Sequence, residues 1–164
     1  MEGEYGELGN YGAPKQKRIR GANLLKETKK RKSGIPTGNA GEYFVMGELL
    51  RRGFDAQLAD RNTKGYDMLV GRAESPSLRK VQVKTSRSSS WYVKLASFEG
   101  DNLNFMTIYV RLGRVSNGKP IRYFMVRNCD VAKDVRRQKK WKKNAFMSLK
   151  AVEPYENRWN ALLK

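Results

Sequence analysis

The sequence predicts an α/β domain built on a mixed β-sheet that is flanked by helices. A helical pattern comes first, over residues 40–52, and several short apolar segments bounded by turn residues follow it. Further helical patterns close the chain. One helix, a group of strands and then more helices favours a mixed α/β arrangement over an all-β barrel. The length of 164 residues fits a single domain with a tail.

The first helix is predicted over residues 40–52 and ends at Gly53. Asn39 followed by Glu42 has the spacing of a capping box, in which the two side chains bond the first backbone N–H groups. On a helical wheel, however, Glu42 shares the apolar stripe, whereas Glu48 faces the opposite side. The stripe consists of Val45, Met46 and Leu49. A carboxylate on a buried stripe is costly without a partner, so Glu42 is either a capping residue or a functional group.

Five short segments that contain apolar residues are predicted as strands, with turn residues between them. They are residues 54–59, 65–71, 78–85, 105–112 and 121–126. After these strands, a basic helix is predicted over residues 129–143 and a short amphipathic helix over residues 156–163.

Residues 1–36 differ in composition from the rest of the chain. They are rich in Gly and charge, and their few apolar residues have no sustained period, which is typical of a disordered segment. We expect a flexible basic N-terminal arm that orders on its partner, followed by a globular domain over residues 37–164. A solvated tail is the alternative. The last basic run of the arm is Lys29, Lys30, Arg31 and Lys32.

Lysine and arginine number 34 against 16 acidic residues, which gives a formal net charge of +18. So large an excess predicts a polyanionic partner, and nucleic acid comes first because each neutralised phosphate releases counterions. A membrane surface is the weaker alternative, since the sequence has no long basic amphipathic helix and no apolar run of spanning length.

The first residues, MEGEYGELGN, lack a signal peptide's hydrophobic stretch. We expect a cytoplasmic protein, nucleoid-associated or, in a eukaryote, nuclear, with no membrane partner.

The chain contains no histidine and one cysteine, Cys129. Ser-His-Asp triads, Cys-His nucleophiles and zinc sites that need imidazole or several thiolates are therefore excluded. Any catalytic group or metal ligand must therefore be a carboxylate, a lysine, an arginine, a tyrosine, an amide or a hydroxyl. Oxygen ligands of this kind suit hard cations, which here means Mg²⁺ or Mn²⁺.

Polar residues interrupt two neighbouring predicted strands. Asp67 lies in an otherwise apolar segment, and in Val81-Gln82-Val83-Lys84 the alternation places Gln82 and Lys84 on one face and the valines on the other. If the two strands pair, Asp67, Gln82 and Lys84 converge on one patch that Glu42 can reach from the helix. Taken singly, Asp67 fits a strand edge or bulge and Lys84 a solvated strand end. All four together, in a basic protein, favour a functional site.

The order of a helix glutamate, an aspartate and a (D/E/Q)-x-K tripeptide resembles the PD-(D/E)XK nuclease superfamily, on Glu42, Asp67 and Gln82-Val83-Lys84. Residues 39–86 are similar to Holliday-junction resolvases and to small intron-associated endonucleases. The resemblance implies a restriction-endonuclease-like mixed sheet. It departs from the family pattern at Tyr66, where a proline often stands, and at Gln82, which replaces an acidic residue and lowers the charge of the site by one.

The resemblance implies a metal-dependent endodeoxyribonuclease with Mg²⁺, or Mn²⁺, as its cofactor. Asp67 would be the main metal ligand, and the Gln82 amide oxygen and the Val83 carbonyl would be neutral oxygen ligands. Lys84 would lie beside the attacking water and lower its pKa or orient it. Glu42 would hold a second ion or a water ligand of the first. With two carboxylates, we expect weaker metal binding than in a three-carboxylate site.

DNA contacts are expected from basic and hydroxyl side chains near the site, from the N-terminal arm and from a dense basic run. Six cations within residues 136–143 repel each other, which indicates a phosphate partner. Trp91, Tyr92 and Trp141 could stack on bases, although packing is the more common role for at least two of them. The predicted contacts are Lys29, Lys30, Arg31, Lys32, Arg61, Lys64, Ser86, Arg87, Arg136, Arg137, Lys139, Lys140, Lys142 and Lys143.

The sequence therefore predicts a metal-dependent endonuclease that hydrolyses DNA phosphodiester bonds, structure-selective on branched DNA, acting as a homodimer and needing no small-molecule cofactor. Two alternatives stay open. One is a nuclease-fold protein that binds DNA or RNA but no longer cuts, with Gln82 as the sign of a decayed site. The other is a basic RNA-binding structural protein in which the alignment of Glu42, Asp67 and Lys84 is chance.

Overall fold

The computed structural model describes residues 34–60, 62–74, 77–113 and 115–163, apart from the side chain of Asn117. The predicted arm lies outside these residues except for positions 34–36. Short 3-10 segments connect several of the elements. The helices are α1 (Ile35–Arg51), α2 (Asn128–Val131) and α3 (Leu149–Val152), and the strands are β1 (Asp55–Leu58), β2 (Met68–Gly71), β3 (Arg79–Ser86), β4 (Ser90–Lys94), β5 (Met106–Arg111), β6 (Arg122–Arg127) and β7 (Asn144–Ser148).

Five strands form one mixed sheet in the order β1-β2-β3-β5-β6. β3 and β5 are parallel, and the other neighbouring pairs are antiparallel. β4 and β7 pair with each other in a separate antiparallel ribbon. The predicted α/β class with a mixed sheet is therefore confirmed. In the described part of the chain, no helix is long and apolar enough to cross a membrane.

One hydrophobic core lies between α1 and the large sheet. It contains Val45 and Leu49 of α1 together with Val81 and Val83 of β3, all of them buried. The alternation predicted for β3 is thus confirmed, because Gln82 and Lys84 are only partly buried and belong to the opposite face.

A second core fills the opposite face of the sheet, under the β4–β7 ribbon. Tyr109 of β5 and Phe124 of β6 contribute from the large sheet, and Trp91 and Met147 contribute from the ribbon. The indole Nε1–H of Trp91 donates a hydrogen bond of 3.0 Å to the carbonyl of Val110. This buried bond anchors the ribbon to β5, beside the strand that carries Gln82 and Lys84.

Helix α1 begins five residues earlier than predicted. Gly34 is its N-cap, and Pro36 stands within the first two helical positions, where its fixed φ suits a helix and its missing N–H costs nothing. Asn39 and Glu42 therefore lie inside the helix, and the predicted capping box is wrong. The end is as predicted, since Gly53 follows the last turn with a φ of 73°.

The predicted basic helix over residues 129–143 is also wrong. Only α2 and a 3-10 turn at 132–134 are helical there, after which Arg136 forms an isolated bridge with Phe146 and a turn leads into β7. Six like charges so close together disfavour a helix. β4 and β7 were missed by the sequence analysis, and the last predicted helix is reduced to a 3-10 segment, Trp159–Leu163.

Gly41 sets how closely α1 approaches the sheet. It is buried, and a Cβ at this position would overlap the Oγ1, Cγ2 and Cβ atoms of Thr85 on β3. The helix backbone can therefore rest directly on β3. This contact carries the next residue, Glu42, towards the end of β3 that holds Lys84.

We expect Gly41→Ala to destabilise the protein, with a lower midpoint of urea denaturation. Alanine normally stabilises a helix interior relative to glycine by ~1 kcal/mol, but overpacking against Thr85 costs about 1–3 kcal/mol. Gly47→Ala is the matched control, because a Cβ at this position of the same helix meets no atom within 4 Å. The control should stabilise. Equal stabilisation by both substitutions would show that α1 does not rest on Thr85.

Candidate active site

Asp67 lies directly before β2, not inside the strand as predicted, and its backbone is held on both sides. Its N–H donates to the carbonyl of Val81 (2.9 Å), and its own carbonyl accepts from the N–H of Ala59 (3.0 Å). The side chain turns to β3, where Oδ2 accepts a 2.7 Å hydrogen bond from the N–H of Val83. The carboxylate thus accepts the kind of hydrogen bond that a backbone carbonyl of a neighbouring strand accepts in a β-sheet. This bond fixes the carboxylate beside Gln82-Val83-Lys84.

This hydrogen bond leaves Asp67 with acceptor capacity. A carboxylate offers about four lone-pair sites on two oxygens, and the bond to Val83 uses one of them. Tyr66, which stands where the nuclease pattern often has proline, packs its ring against Lys80, with Nζ 5.2 Å from the ring centroid. A cation–π contact therefore orders the residue before Asp67.

Glu42 and Asp67 line one cleft of about 530 Å³ between α1 and the chain segment that joins β1 to β2. Asp60 lines the same cleft, and the sequence analysis missed it, because it lies in a loop without strand or helix periodicity. Its carbonyl accepts from Thr63 (2.8 Å) in a turn. Within the described residues, no three Asp, Glu or Cys side chains are grouped closely enough to hold a metal ion.

Lys84 lies in the middle of the large sheet, opposite Tyr109 of β5. Burial lowers the pKa of Lys84 below its usual value, and the positive charge of Lys94 on β4 lowers it further. The carboxylates of Asp67 and Glu42 act on the pKa in the opposite direction. Three of the four predicted catalytic side chains are thus electrostatically coupled. The fourth, Gln82, lies on the same strand, two residues before Lys84.

Tyr109, the partner of Lys84 in the pairing of β3 and β5, is fully buried, and its hydroxyl has no hydrogen-bond partner among the described residues. Burial raises the pKa of this phenol well above its ordinary value, so it stays neutral. Partial removal of Lys84 itself from water disfavours its ammonium form, which accounts for the direction of its pKa shift.

Lys84 also borders a second, smaller hollow of about 170 Å³, which is lined by Tyr92 and by side chains of the turn between β3 and β4. In this turn the hydroxyls of Ser86 and Ser88 lie 2.9 Å apart, and the Ser88 hydroxyl donates to the carbonyl of Ser90 (3.1 Å). Ser86, a predicted DNA contact, therefore also shapes the turn.

The predicted DNA-binding cations are solvent-exposed wherever the structure describes them. Lys64 lies in the chain segment before Asp67, and Arg87 lies in the serine turn. The other six occupy the stretch before β7, which we call the basic segment (residues 136–143). Arg61 and the four cations of the arm, Lys29, Lys30, Arg31 and Lys32, lie outside the described residues.

The three aromatic residues considered for base stacking have different environments. Trp91 is a core residue, with 1% of its surface exposed, so stacking by Trp91 is excluded. Tyr92, on the same strand, is 59% exposed. Its ring stacks with Trp141 of the basic segment at 5.3 Å between centroids and 25° between planes.

No protein-family model and no curated protein matches the chain. Among solved structures, it is similar to the Holliday junction resolvase Hjc of Archaeoglobus fulgidus, with 14% identity over 76% of this chain and 93% of that one, at a TM-score of 0.48. It is also similar to a bacterial homing endonuclease, with 16% identity over 81% and 93% of the two chains, at a TM-score of 0.48. At these identities, both similarities concern the fold alone.

Proposed function

We propose that this chain is a metal-dependent endonuclease that hydrolyses DNA phosphodiester bonds. One observation carries the proposal: the Asp67 carboxylate is fixed on the N–H of Val83, beside a desolvated lysine, Lys84, on which a second carboxylate, Glu42, also acts. Burying a lysine in the middle of a sheet stabilises nothing by itself. A lysine whose pKa is lowered by burial and on which two carboxylates act is instead typical of an active site.

The donor set fits a hard divalent cation. Asp67 and Glu42 supply carboxylates on one cleft, and Gln82 and Val83 supply neutral amide oxygens. With all-oxygen donors and no imidazole, Mg²⁺ or Mn²⁺ is favoured over zinc or copper. When bound, the ion supplies a Lewis acid for the phosphoryl oxygen and offsets the charge on the leaving 3′ oxygen.

Lys84 is the proton acceptor in this proposal. Burial favours its neutral amine, and a neutral amine can take a proton from the attacking water and hold the resulting nucleophile in position. The ammonium group formed by this transfer is stabilised by the negative charges of Asp67 and Glu42, which both act on Lys84.

The exposed cations of the described chain supply phosphate contacts around this centre. Lys64 lies on the Asp67 side, Arg87 lies on the Lys84 side, and the basic segment extends the positive surface beyond them. Phosphate contacts of this kind fix the position of DNA without reading its sequence. Branched DNA is the proposed substrate, and a homodimer is the proposed active form.

The proposal is tested by incubating the full chain with linear duplex, single-stranded and four-way-junction DNA in Mg²⁺, in Mn²⁺ and in EDTA. We expect endonucleolytic products with either metal and none in EDTA. Tight binding to DNA without cleavage at any metal concentration would instead support the second candidate, a nucleic-acid-binding protein of nuclease fold. The neutral Gln82 on the strand beside Asp67 is the observation that favours this candidate.

Gln82→Glu is expected to lower the Mg²⁺ concentration that gives half-maximal cleavage, because it adds a charged ligand of nearly the same volume. Gln82→Ala, which removes the amide oxygen, should raise this concentration. Gln57→Glu on β1 is the matched control, since it adds the same charge at an exposed strand position and should leave the metal requirement unchanged. A metal titration of the four proteins on one substrate gives the comparison.

Two results would contradict this assignment of Gln82. In the first, the glutamate variant and the alanine variant have the same metal requirement as the wild type, so that position 82 does not contact the ion. In the second, the Gln57→Glu control shifts the Mg²⁺ requirement as much as Gln82→Glu does. The shift would then come from the net charge of the protein and not from a ligand at position 82.

A further inference from the structure

The outer face of the β4–β7 ribbon carries three aromatic rings in mutual contact, which we call the aromatic cluster: Tyr92, Trp141 and Phe146. Tyr92 and Phe146 are directly opposite each other in the ribbon, with ring centroids 4.7 Å apart. Trp141 lies 5.3 Å from Tyr92 and 4.6 Å from Phe146. The three rings therefore form one continuous apolar surface.

This surface is not part of a core. Along β4 the alternation turns Trp91 and Val93 inwards, where both are buried, and turns Tyr92 outwards, where 59% of its surface meets solvent. Trp141 and Phe146 are partly exposed as well. A contiguous exposed patch of large aromatic side chains is uncommon on a protein surface unless it binds a partner.

The charge around the aromatic cluster identifies the chemistry of that partner. Trp141 stands inside the basic segment, where its direct neighbours in sequence are Lys140 and Lys142 and where all six cations are exposed. Aromatic rings among exposed cations match a polymer with a phosphate backbone and planar bases. Inside an intact duplex, each base is already stacked on its neighbours and has no free face. The aromatic rings therefore favour stacking with unpaired bases.

The aromatic cluster also adjoins the candidate active site. Tyr92 and Lys84 line the same hollow, together with the hydroxyl-bearing turn between β3 and β4. A nucleotide whose base stacks on Tyr92 would therefore have its sugar and phosphate close to Lys84. The aromatic cluster would therefore hold a base next to the proposed cleavage site.

We propose that the aromatic cluster binds unpaired bases of single-stranded DNA, so that the substrate carries a single-stranded stretch next to the scissile phosphate. The position of that phosphate rests on the proposed function, whereas base stacking does not. The proposal narrows the substrate class from branched DNA in general to DNA that exposes unpaired bases, such as a gap, a flap or an opened junction.

The test measures binding of the full chain, in EDTA, to three labelled probes of equal length: an oligothymidine, an oligonucleotide of abasic sites, and a duplex. The abasic probe has the same phosphates but no bases. The variants are Tyr92→Leu and Trp141→Ala, of which the first keeps an apolar side chain on the ribbon. Phe44→Ala is the matched control, since Phe44 is 46% exposed on α1, on the other face of the large sheet, and does not line the cleft of Glu42 and Asp67.

We expect the wild type to bind oligothymidine about tenfold or more tightly than the abasic probe, as stacking of one or two bases provides. Tyr92→Leu and Trp141→Ala should lose most of this preference while their affinity for the abasic probe and for the duplex stays unchanged. Trp141→Phe, which keeps a ring, should retain much of it, and Phe44→Ala should retain all of it. Unchanged melting temperatures would confirm that the variants are folded.

Equal affinity of the wild type for oligothymidine and the abasic probe would overturn the inference, and so would equal losses on all three probes. These outcomes are independent of catalysis. A chain that never cuts but prefers bases to abasic sites contradicts the proposed function and supports the aromatic cluster. A chain that cuts without such a preference supports the nuclease and overturns the cluster.

Discussion

Asp67→Asn is expected to reduce the rate of DNA cleavage about a thousandfold or more, while the affinity for DNA stays nearly unchanged. The amide keeps the size of the side chain, and its oxygen can still accept the hydrogen bond from Val83, so the fold should be preserved. What is lost is the negative charge that would hold the cation. A bound cation stabilises the transition state by several kcal/mol, and each 1.36 kcal/mol corresponds to a tenfold change in rate.

The measurement is single-turnover cleavage at saturating protein, with DNA affinity determined separately in EDTA. Asp101→Asn is the matched control, because Asp101 is exposed on the 3-10 segment Gly100–Asn104, and it should cleave at the wild-type rate. Undiminished cleavage by Asp67→Asn would show that the metal site is elsewhere. A parallel loss of DNA binding would show that Asp67 acts by shaping the binding surface.

Lys84→Met is expected to reduce the cleavage rate by about 10²–10⁴-fold, which is the usual contribution of a general base. Methionine has a similar length, and its apolar side chain suits a buried position on the sheet. Lys84→Arg should be equally inactive, because a guanidinium keeps the charge but does not give up its proton. Activity retained in the arginine variant alone would assign Lys84 an electrostatic role instead.

Both lysine variants should bind the DNA substrate with wild-type affinity, since the exposed phosphate-binding cations lie on other segments. Lys150→Met removes one positive charge from an exposed position of α3, and this control should cut normally. Cleavage at the wild-type rate by both Lys84 variants would remove Lys84 from the proposed mechanism.

Local periodicity alone predicted the helix over residues 40–52, the five strands of the large sheet and the two faces of β3. Each of these rests on a pattern that burial enforces within one element: an apolar stripe every three or four residues, or alternation on a strand. The same alternation placed Gln82 and Lys84 away from Val81 and Val83. The convergence of Asp67 with these residues could also be predicted, because two successive strands usually pair.

Tertiary structure decided where the local signals were weak or in conflict. The start of α1 depended on Pro36 at its first turn, not on the Asn39 and Glu42 pair that resembled a cap. β4 and β7 form a ribbon across about fifty residues of chain, so the strand partner of each is distant in sequence. Residues 129–143 have the composition of a helix, yet helical structure ends at Asp134. The repulsion of six cations disfavours a longer helix, and Arg136 instead forms a bridge with Phe146.

The arrangement of the site depended on tertiary structure in the same way. Asp60 joins the cleft of Glu42 and Asp67 through a loop whose path no periodicity predicts. Trp141 stacks on Tyr92 only because the β4–β7 ribbon brings the basic segment to the outer face of β4. The hollow beside Lys84 is lined in part by Trp91 and Tyr92 of β4, so it forms only where β4 meets the large sheet. The sequence by itself thus determined which residues form the proposed site and that Gln82 and Lys84 share one face of β3. Long-range packing decided the solvent exposure and the neighbours of these residues, because both depend on contacts between segments that are distant in the chain.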